Sequence, residues 1–339
     1  MACRAALLVG LLLVALLIAA AALALPRGRR GAFGGAPPPR FPCAGIQKRL
    51  PVRDPWPRDG LWTRVAAVFG EAEASRHFPK TWVLPRDAAK LRDDHDPRRS
   101  YIAKGDSEQS IEVDLLGPGE LGPLDKYWVV QEYLHPPFLL RGYLLILRMF
   151  LVVDCEAGAY LLRRFVVRCA GLPYAAHSRD RRRMMAPIRY PDRKSSPWYP
   201  PYQHYLDQRL PRVSDELEAQ VPGAESLAPA VAHSLRVLFA AMAPERRRPC
   251  RGLQKGAHAF GVDVGVGAGL SPRILELNPA PQLYAPEAEQ RGEDDERMVA
   301  VKRALTGGMC ADIRAQRYPA ARWLPVAPAA ALRSPPSSG

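Results

Sequence analysis

Asparagine occurs once in the 339 residues, at Asn278, so the chain carries no N-glycosylation sequon. The six cysteines (Cys3, Cys43, Cys155, Cys169, Cys250 and Cys310) show no CxxC spacing and have no neighbouring histidine. That argues against a structural zinc site and leaves the redox compartment unfixed. Cys155 and Cys169 fall in apolar, strand-like segments and read as small buried side chains. Long uninterrupted helices are disfavoured, because 35 prolines are about twice the usual ~5% share. Acid is scarce beside base, with 34 Asp and Glu against 48 Lys and Arg, a formal charge of +14. Acidic or phosphorylated partners suit such a surface. What the chain does have is a 47% apolar share, which excludes disorder of the whole, and a length that suits one large domain or two small ones.

An unbroken apolar run from Ala5 to Leu25 is about the ~20 residues a helix needs to cross a bilayer. It reads as a single-pass membrane anchor or, through the A-x-A-like Ala22 and Ala24, as a signal peptide. Arg4 alone precedes it while Arg27, Arg29 and Arg30 follow, which favours a cytosolic catalytic domain and leaves the secretory pathway open. Residues 26–60 are rich in Pro and Gly and form a linker. A folded domain then covers 61–310, and 311–339, ending in LRSPPSSG, reads as a disordered tail. Within the domain short β-type runs alternate with turn signals: 81–84, 101–104, 110–116, 127–134, 143–153, 160–169, 259–266 and 274–277. Helix is expected over 226–242, where Leu227, Val231, Leu235, Leu238 and Met242 recur at spacings of three and four, and over 287–305. Gly158 supplies a hairpin turn, and the basic run Arg179 to Arg183 lies in a long surface loop.

The chemistry concentrates near the C-terminal end, in FGVDV at 260–264 and RILELNPAPQL at 273–283. Glu276 and Asn278 are two apart and share one face of a strand, with Leu275 and Leu277 toward the core. If the strand holding Asp263 folds back through GVGAGLSP, two carboxylates and the lone amide converge as hard oxygen donors. Such a set suits Mg²⁺ bridging to phosphate oxygens.

Upstream, FPKTWVLP at 78–85, YIAK at 101–104 and QEYL at 131–134 stand in a fixed order before FGVDV and LELN. Together these segments resemble the tubulin tyrosine ligase-like family of ATP-grasp enzymes, over about residues 78–310. The resemblance implies an α+β fold, two lobes with mainly antiparallel sheets clasping ATP, here preceded by an N-terminal membrane helix. It implies that Lys104 meets the α and β phosphates and that Gln131, Tyr133 and Leu134 form the adenine hinge. Asp263, Glu276 and Asn278 would hold Mg²⁺, and Arg148 and Arg163 would bind the terminal phosphate and acyl-phosphate, with Arg168 matching a further family arginine. The implied reaction is Mg-ATP-dependent ligation of an amino acid to a protein carboxylate, on a tubulin tail or another acidic peptide. No nucleic-acid partner is expected.

Three departures separate nucleotide binding from turnover. Where the family carries K-F-D-[IL]-R, this chain reads LLILR at 144–148, keeping the arginine alone. GDSEQSI at 105–111 stands in place of a Gly-rich phosphate loop, and RMMAPIRYP at 183–191 lacks the usual H-L-T-N. A non-catalytic protein that keeps the fold is therefore a second reading, and a single-pass Golgi glycosyltransferase, suggested by anchor and stem, a third.

Overall fold

The computed structural model describes residues 60–105, 113–186, 208–242, 257–278 and 296–332, with the backbone alone over 296–303. The anchor at 1–25, the linker to residue 59, the loop after Gly105, residues 187–207 of the surface loop expected over 175–211, and the last seven residues lie outside the described residues. Among the described residues no helix is long and apolar enough to cross a membrane.

The fold starts with α1 (Leu61–Phe69) and α2 (Glu71–His77), followed by β1 (Thr81–Val83), α3 (Ala88–Asp94), β2 (Tyr101–Lys104), β3 (Val113–Leu116) and β4 (Val129–Glu132). The four strands form an antiparallel sheet in the order β1-β4-β2-β3. Its alternation is that of a sheet with one buried face. Trp82, Tyr101, Ala103 and Val130 pack against Leu91 of α3, Leu116 and Tyr127. In register on the opposite face stand Thr81, Gln131 and Ile102, and beside them Val83, Val129 and Lys104.

A second, seven-stranded sheet is built from β5 (Leu139–Leu140), β6 (Tyr143–Asp154), β7 (Gly158–Leu162), β8 (Val166–Cys169), β9 (Ala257–Gly267), β10 (Ser271–Asn278) and β11 (Trp323–Pro328). The path is β10-β9-β6-β7-β11, with β5 and β8 pairing β6. The intervening helices are α4 (Arg181–Met184), α5 (Ser214–Glu218), α6 (Leu227–Met242) and α7 (Glu296–Ala315), and α8 (Ala329–Leu332) ends the described chain.

One face of this sheet presents Leu145, Leu147, Met149, Leu151, Phe260, Val262, Val264 and Val266 to Trp62 and Val65 of α1 and to Val231, Leu235 and Leu238 of α6. His77 Nδ1 and Ser234 Oγ, 3.0 Å apart, join α2 to α6 behind that layer. The other face is divided. Phe150, Val152, Ala257 and Ala259 lie under Leu305, Met309 and Ile313 of α7. Farther along the same face come Arg148 and Ile146, where α7 gives way to the site. With both faces covered, β6 reads as a continuous apolar run instead of an alternating one.

Three expectations are corrected. The expected strand 160–169 is two strands, β7 on residues 151–154 of β6 and β8 on 145–148, with Arg163 to Phe165 making the step between them. The C-terminal helix runs over 296–315 and therefore extends well beyond 305. The tail reading fails for 323–332: β11 pairs with β7, from Trp323 opposite Leu162 to Pro328 opposite Gly158. Its prolines hid it, and they are tolerated because β11 is an edge strand with one neighbour. Cys169 is buried as expected, but Cys155 is disulfide-bonded and sits in the turn after β6.

Gly158 has φ +126, and a Cβ there would stand 2.7 Å from the Ala327 carbonyl oxygen of β11. Gly158→Ala is therefore expected to cost about 1–3 kcal/mol in urea unfolding. A change smaller than about 0.5 kcal/mol would show that β11 can step back from the turn.

Candidate functional site

Three strands place three charges in one row. Arg148 of β6 lies opposite Asp263 of β9, and Asp263 lies opposite Glu276 of β10. Directly paired residues share a sheet face, so all three side chains leave on the side away from α6. The row depends on an irregularity. Ile274 pairs with Val264 but Glu276 pairs with Asp263, leaving Leu275 as an extra residue. In even register Glu276 would face Val262 and point into the core. The bulge instead aims it at the cleft. Leu275 is accordingly not the core residue that alternation suggests: its side chain lies over Gly265, whose added Cβ would sit 3.3 Å from it.

Arg148 and Asp263 are almost wholly buried, and they meet bidentately: Nε to Oδ1 at 2.5 Å and Nη2 to Oδ2 at 2.8 Å. Burial pushes the Asp263 carboxyl up to about 6; the Arg148 guanidinium opposes that rise and the neighbouring Glu276 carboxylate adds to it. The third guanidinium nitrogen, Nη1, is buried and has no hydrogen-bond partner among the described residues. It crosses Gly261, where an added Cβ would come within 3.1 Å of it. A buried donor left without an acceptor costs about 1–3 kcal/mol, so this nitrogen marks where an anion is wanted.

Lys104 completes the row from the small sheet. Its Nζ lies 3.6 Å from Glu276 Oε2, both side chains keeping roughly a quarter of their surface in water. Two cations and two carboxylates thus alternate as plus, minus, minus, plus across the gap between the sheets.

Beside the row, β9 offers an apolar floor. Gly265 and Gly267 continue the face of Asp263, and Leu134 lies over both, 3.2 Å and 3.6 Å from where their Cβ atoms would be. Ile146, paired with Gly265, borders them. The chain after β4 is stitched to this floor by the Phe138 amide donating to the Val266 carbonyl and the Ala268 amide donating to that of Pro136, at 2.8 and 3.0 Å. Sequence reasoning missed Ile146 and the glycines, although the Gly and Asp alternation with valine in FGVDVGVG carried the signal.

The remaining candidates are placed as follows. The Gln131 amide donates to Thr81 Oγ1 at 3.0 Å and is buried. Tyr133 donates its hydroxyl to the Met184 carbonyl at 2.7 Å, and burial raises its pKa. Of the expected hinge side chains it is Leu134 that reaches the floor. Arg163 Nε donates to the Ala320 carbonyl at 2.8 Å, tying the end of β7 to the approach of β11. Arg168, paired with Ile146, is on the face that carries Arg148. Asn278 lies opposite Gly261, two pairs beyond Glu276 and on the same face. The basic run is largely neutralised from within: Arg179 pairs with Glu120, Arg181 with Asp114 at 3.1 Å and Arg182 with Asp180 at 2.7 Å, while Arg183 donates to the Pro173 carbonyl.

The donor chemistry can be tested against Mg²⁺. Glu276 and Asn278 are partly exposed oxygen donors on one strand face and fit such an ion. Asp263 has both oxygens on Arg148 and acts, as placed, by orienting the guanidinium. Among the described residues no three His, Cys, Asp or Glu side chains gather as a metal cage.

Residues 57–188 match the family model described as the tubulin-tyrosine ligase family. The match holds Lys104, Gln131, Tyr133, Leu134, Arg148 and Arg163 and stops before Asp263, Glu276 and Asn278. Tubulin monoglutamylase TTLL4 of Mus musculus and of Homo sapiens are each 25% identical over 262 residues, covering 67% of this chain and 20% of theirs. The chain thus spans about a fifth of the length of those relatives. Over residues 57–188 the chain is similar to the tubulin-tyrosine ligase family, and its described residues form an α+β fold of two antiparallel sheets.

Proposed function

We propose that this chain binds Mg-ATP between its two sheets and joins an amino acid to a carboxylate of an acidic protein or peptide. The observation that carries the reading is the meeting of Lys104 and Glu276, 3.6 Å apart though 172 positions separate them, beside a buried arginine with a nitrogen unpartnered among the described residues. A polyanion is what that gap lacks. Lys104 would hold the inner phosphates, and Arg148, clamped by Asp263, would donate Nη1–H to the terminal one. Glu276 and Asn278 would hold the magnesium, which when bound neutralises charge on the phosphate oxygens. The purine would pack against the apolar surface that Leu134, seated on Gly265 and Gly267, makes with Ile146.

In the proposed reaction the substrate carboxylate attacks the γ-phosphorus and ADP leaves. The amino acid's amine then displaces phosphate from the acyl-phosphate, leaving an amide. Preorganised cations aimed at the transferring phosphoryl group would supply the main rate enhancement. The relatives are named for acting on tubulin, and the acceptor proposed for this chain shares only the chemistry that implies, an acidic protein segment.

A second reading, a non-catalytic nucleotide binder, is favoured by one observation: apolar Leu144 to Leu147 stand where the family carries Lys and Asp. The two antiparallel sheets and the family match leave the glycosyltransferase reading without support.

Titration calorimetry with ATP and Mg²⁺ tests binding. Affinity is expected to fall at least about tenfold, or ~1.4 kcal/mol, in Lys104→Met. It should lose much of its magnesium dependence in Glu276→Gln. Equal binding by both variants and the parent overturns the assignment. ADP release with glutamate and an acidic peptide separates the ligase from the binder.

A further inference from the structure

We infer that this domain folds and works in an oxidising compartment, on the lumenal side of the secretory pathway. The carboxylate it modifies then belongs to a lumenal or secreted chain. Only that second statement rests on the ligase reading.

Cys155 and Cys310 are both disulfide-bonded. Cys310 lies on α7, and Cys155 lies in the turn after β6, whose neighbouring residues contact the chain just past the end of α7. Cys155 follows Asp154, whose Oδ1 accepts the Glu156 and Ala157 amides at 2.9 and 3.0 Å and whose Oδ2 accepts the Tyr318 hydroxyl at 2.7 Å. The next residue, Glu156, accepts from Gln316 at 3.1 Å, just past the end of α7. Cys310 lies on α7 itself beside Met309, with 0% of its surface exposed.

Glutathione and thioredoxin keep cytosolic thiols reduced, and the disulfides that do form there are mostly transient, catalytic or sensing. Those functions need a sulfur that a small thiol can reach. Cys310 offers none, so its bond is structural. The remaining described thiol is also protected: Cys169 is buried, and burial raises its pKa, so it does not compete as a thiolate. Each bond forms when two thiols give up two protons and two electrons to a disulfide-carrying oxidoreductase, which leaves as the dithiol. A bond of this kind requires a chain that entered an oxidising lumen. The apolar run at 5–25, with Ala22 and Ala24 at its end, is the segment that would take it there. This outweighs the arginines at positions 27, 29 and 30, which bias the orientation of an uncleaved anchor and impose nothing on a cleaved leader.

The chain's lack of a sequon makes the test clean. In the full chain, Glu218→Asn with Gln220→Thr, and separately Ala315→Asn with Arg317→Thr, each place an N-x-T acceptor at exposed positions. Expressed in secretory cells, at least one variant is expected to gain a glycan that endoglycosidase removes. The parent protein, quenched with an alkylating maleimide and mapped by mass spectrometry, should show Cys155 and Cys310 labelled only after reduction. Reduction should lower its thermal midpoint by about 5–15 °C. Glycan at neither position together with digestion of the domain by protease outside intact microsomes, or labelling of either cysteine without reduction, overturns the proposal. None of these readings involves ATP, so a failed nucleotide titration on the oxidised protein would remove the ligase reading and leave the compartment standing.

Discussion

Arg148→Met is expected to lower the unfolding free energy by about 3–5 kcal/mol, because it strands the Asp263 carboxylate in a site without water. The double variant Arg148→Met with Asp263→Leu should recover most of that loss, since replacing both members of a buried pair by apolar groups is often close to neutral. Urea unfolding of the parent, both single variants and the double variant measures the coupling directly. The penalty in Arg148→Met should shrink on acidification. A carboxyl that burial has already pushed upward takes a proton once its guanidinium is gone, and the neutral form is the one the folded state then prefers. Nucleotide binding should be lost in both the single and the double variant, since neither presents the Nη1 donor. A single-variant loss below about 1 kcal/mol at neutral pH would mean that Asp263 already carries a proton in the parent.

Much of this site was legible in the sequence, and the reason is local. Lys104 ends a short strand, and FGVDV and LELN lie on either side of a turn-rich stretch, so the meeting of those two strands follows from one hairpin. What alternation could not give was the bulge at Leu275, because a single extra residue leaves no mark in composition yet reverses which side chains face the cleft. The same blindness hid the clamp of Arg148 on Asp263: the two are 115 positions apart and joined by the register of β6 on β9. Arg163 shows the opposite error. Motif position suggested a phosphate ligand, whereas the step from β7 to β8 turns its Nε to the Ala320 carbonyl. The basic run from Arg179 also looked different in sequence. Its partners Glu120 and Asp114 lie some 60 positions upstream, so one-dimensional charge counting could not see the neutralisation.

A chain ended at Gln316 should fail to fold cooperatively, although the sequence reads everything after residue 310 as dispensable. The lost piece places Trp323, Leu324, Val326 and Leu332 in the two cores of the large sheet. At about 1.5–3 kcal/mol for each large buried side chain, their removal is comparable to the ~5–15 kcal/mol that usually holds a domain together. Polar ties go with them: Trp323 Nε1 donates to Asp312 at 2.8 Å, and the Tyr318 hydroxyl to Asp154 at 2.7 Å. The strand β7 would also be left as an open edge over Gly158–Leu162, a row of unpaired amides and carbonyls that invites association. Size-exclusion chromatography and thermal unfolding by circular dichroism should show aggregation and a lost or broadened transition. In the full-length chain Trp323→Ala should cost about 3–5 kcal/mol, which separates loss of packing from loss of the strand. A shortened chain that stays monomeric with a sharp transition would mean that α7 alone can close the face of the sheet next to the charged row. The row would then be held by strand register in β6, β9 and β10 and not by the layer behind Phe150.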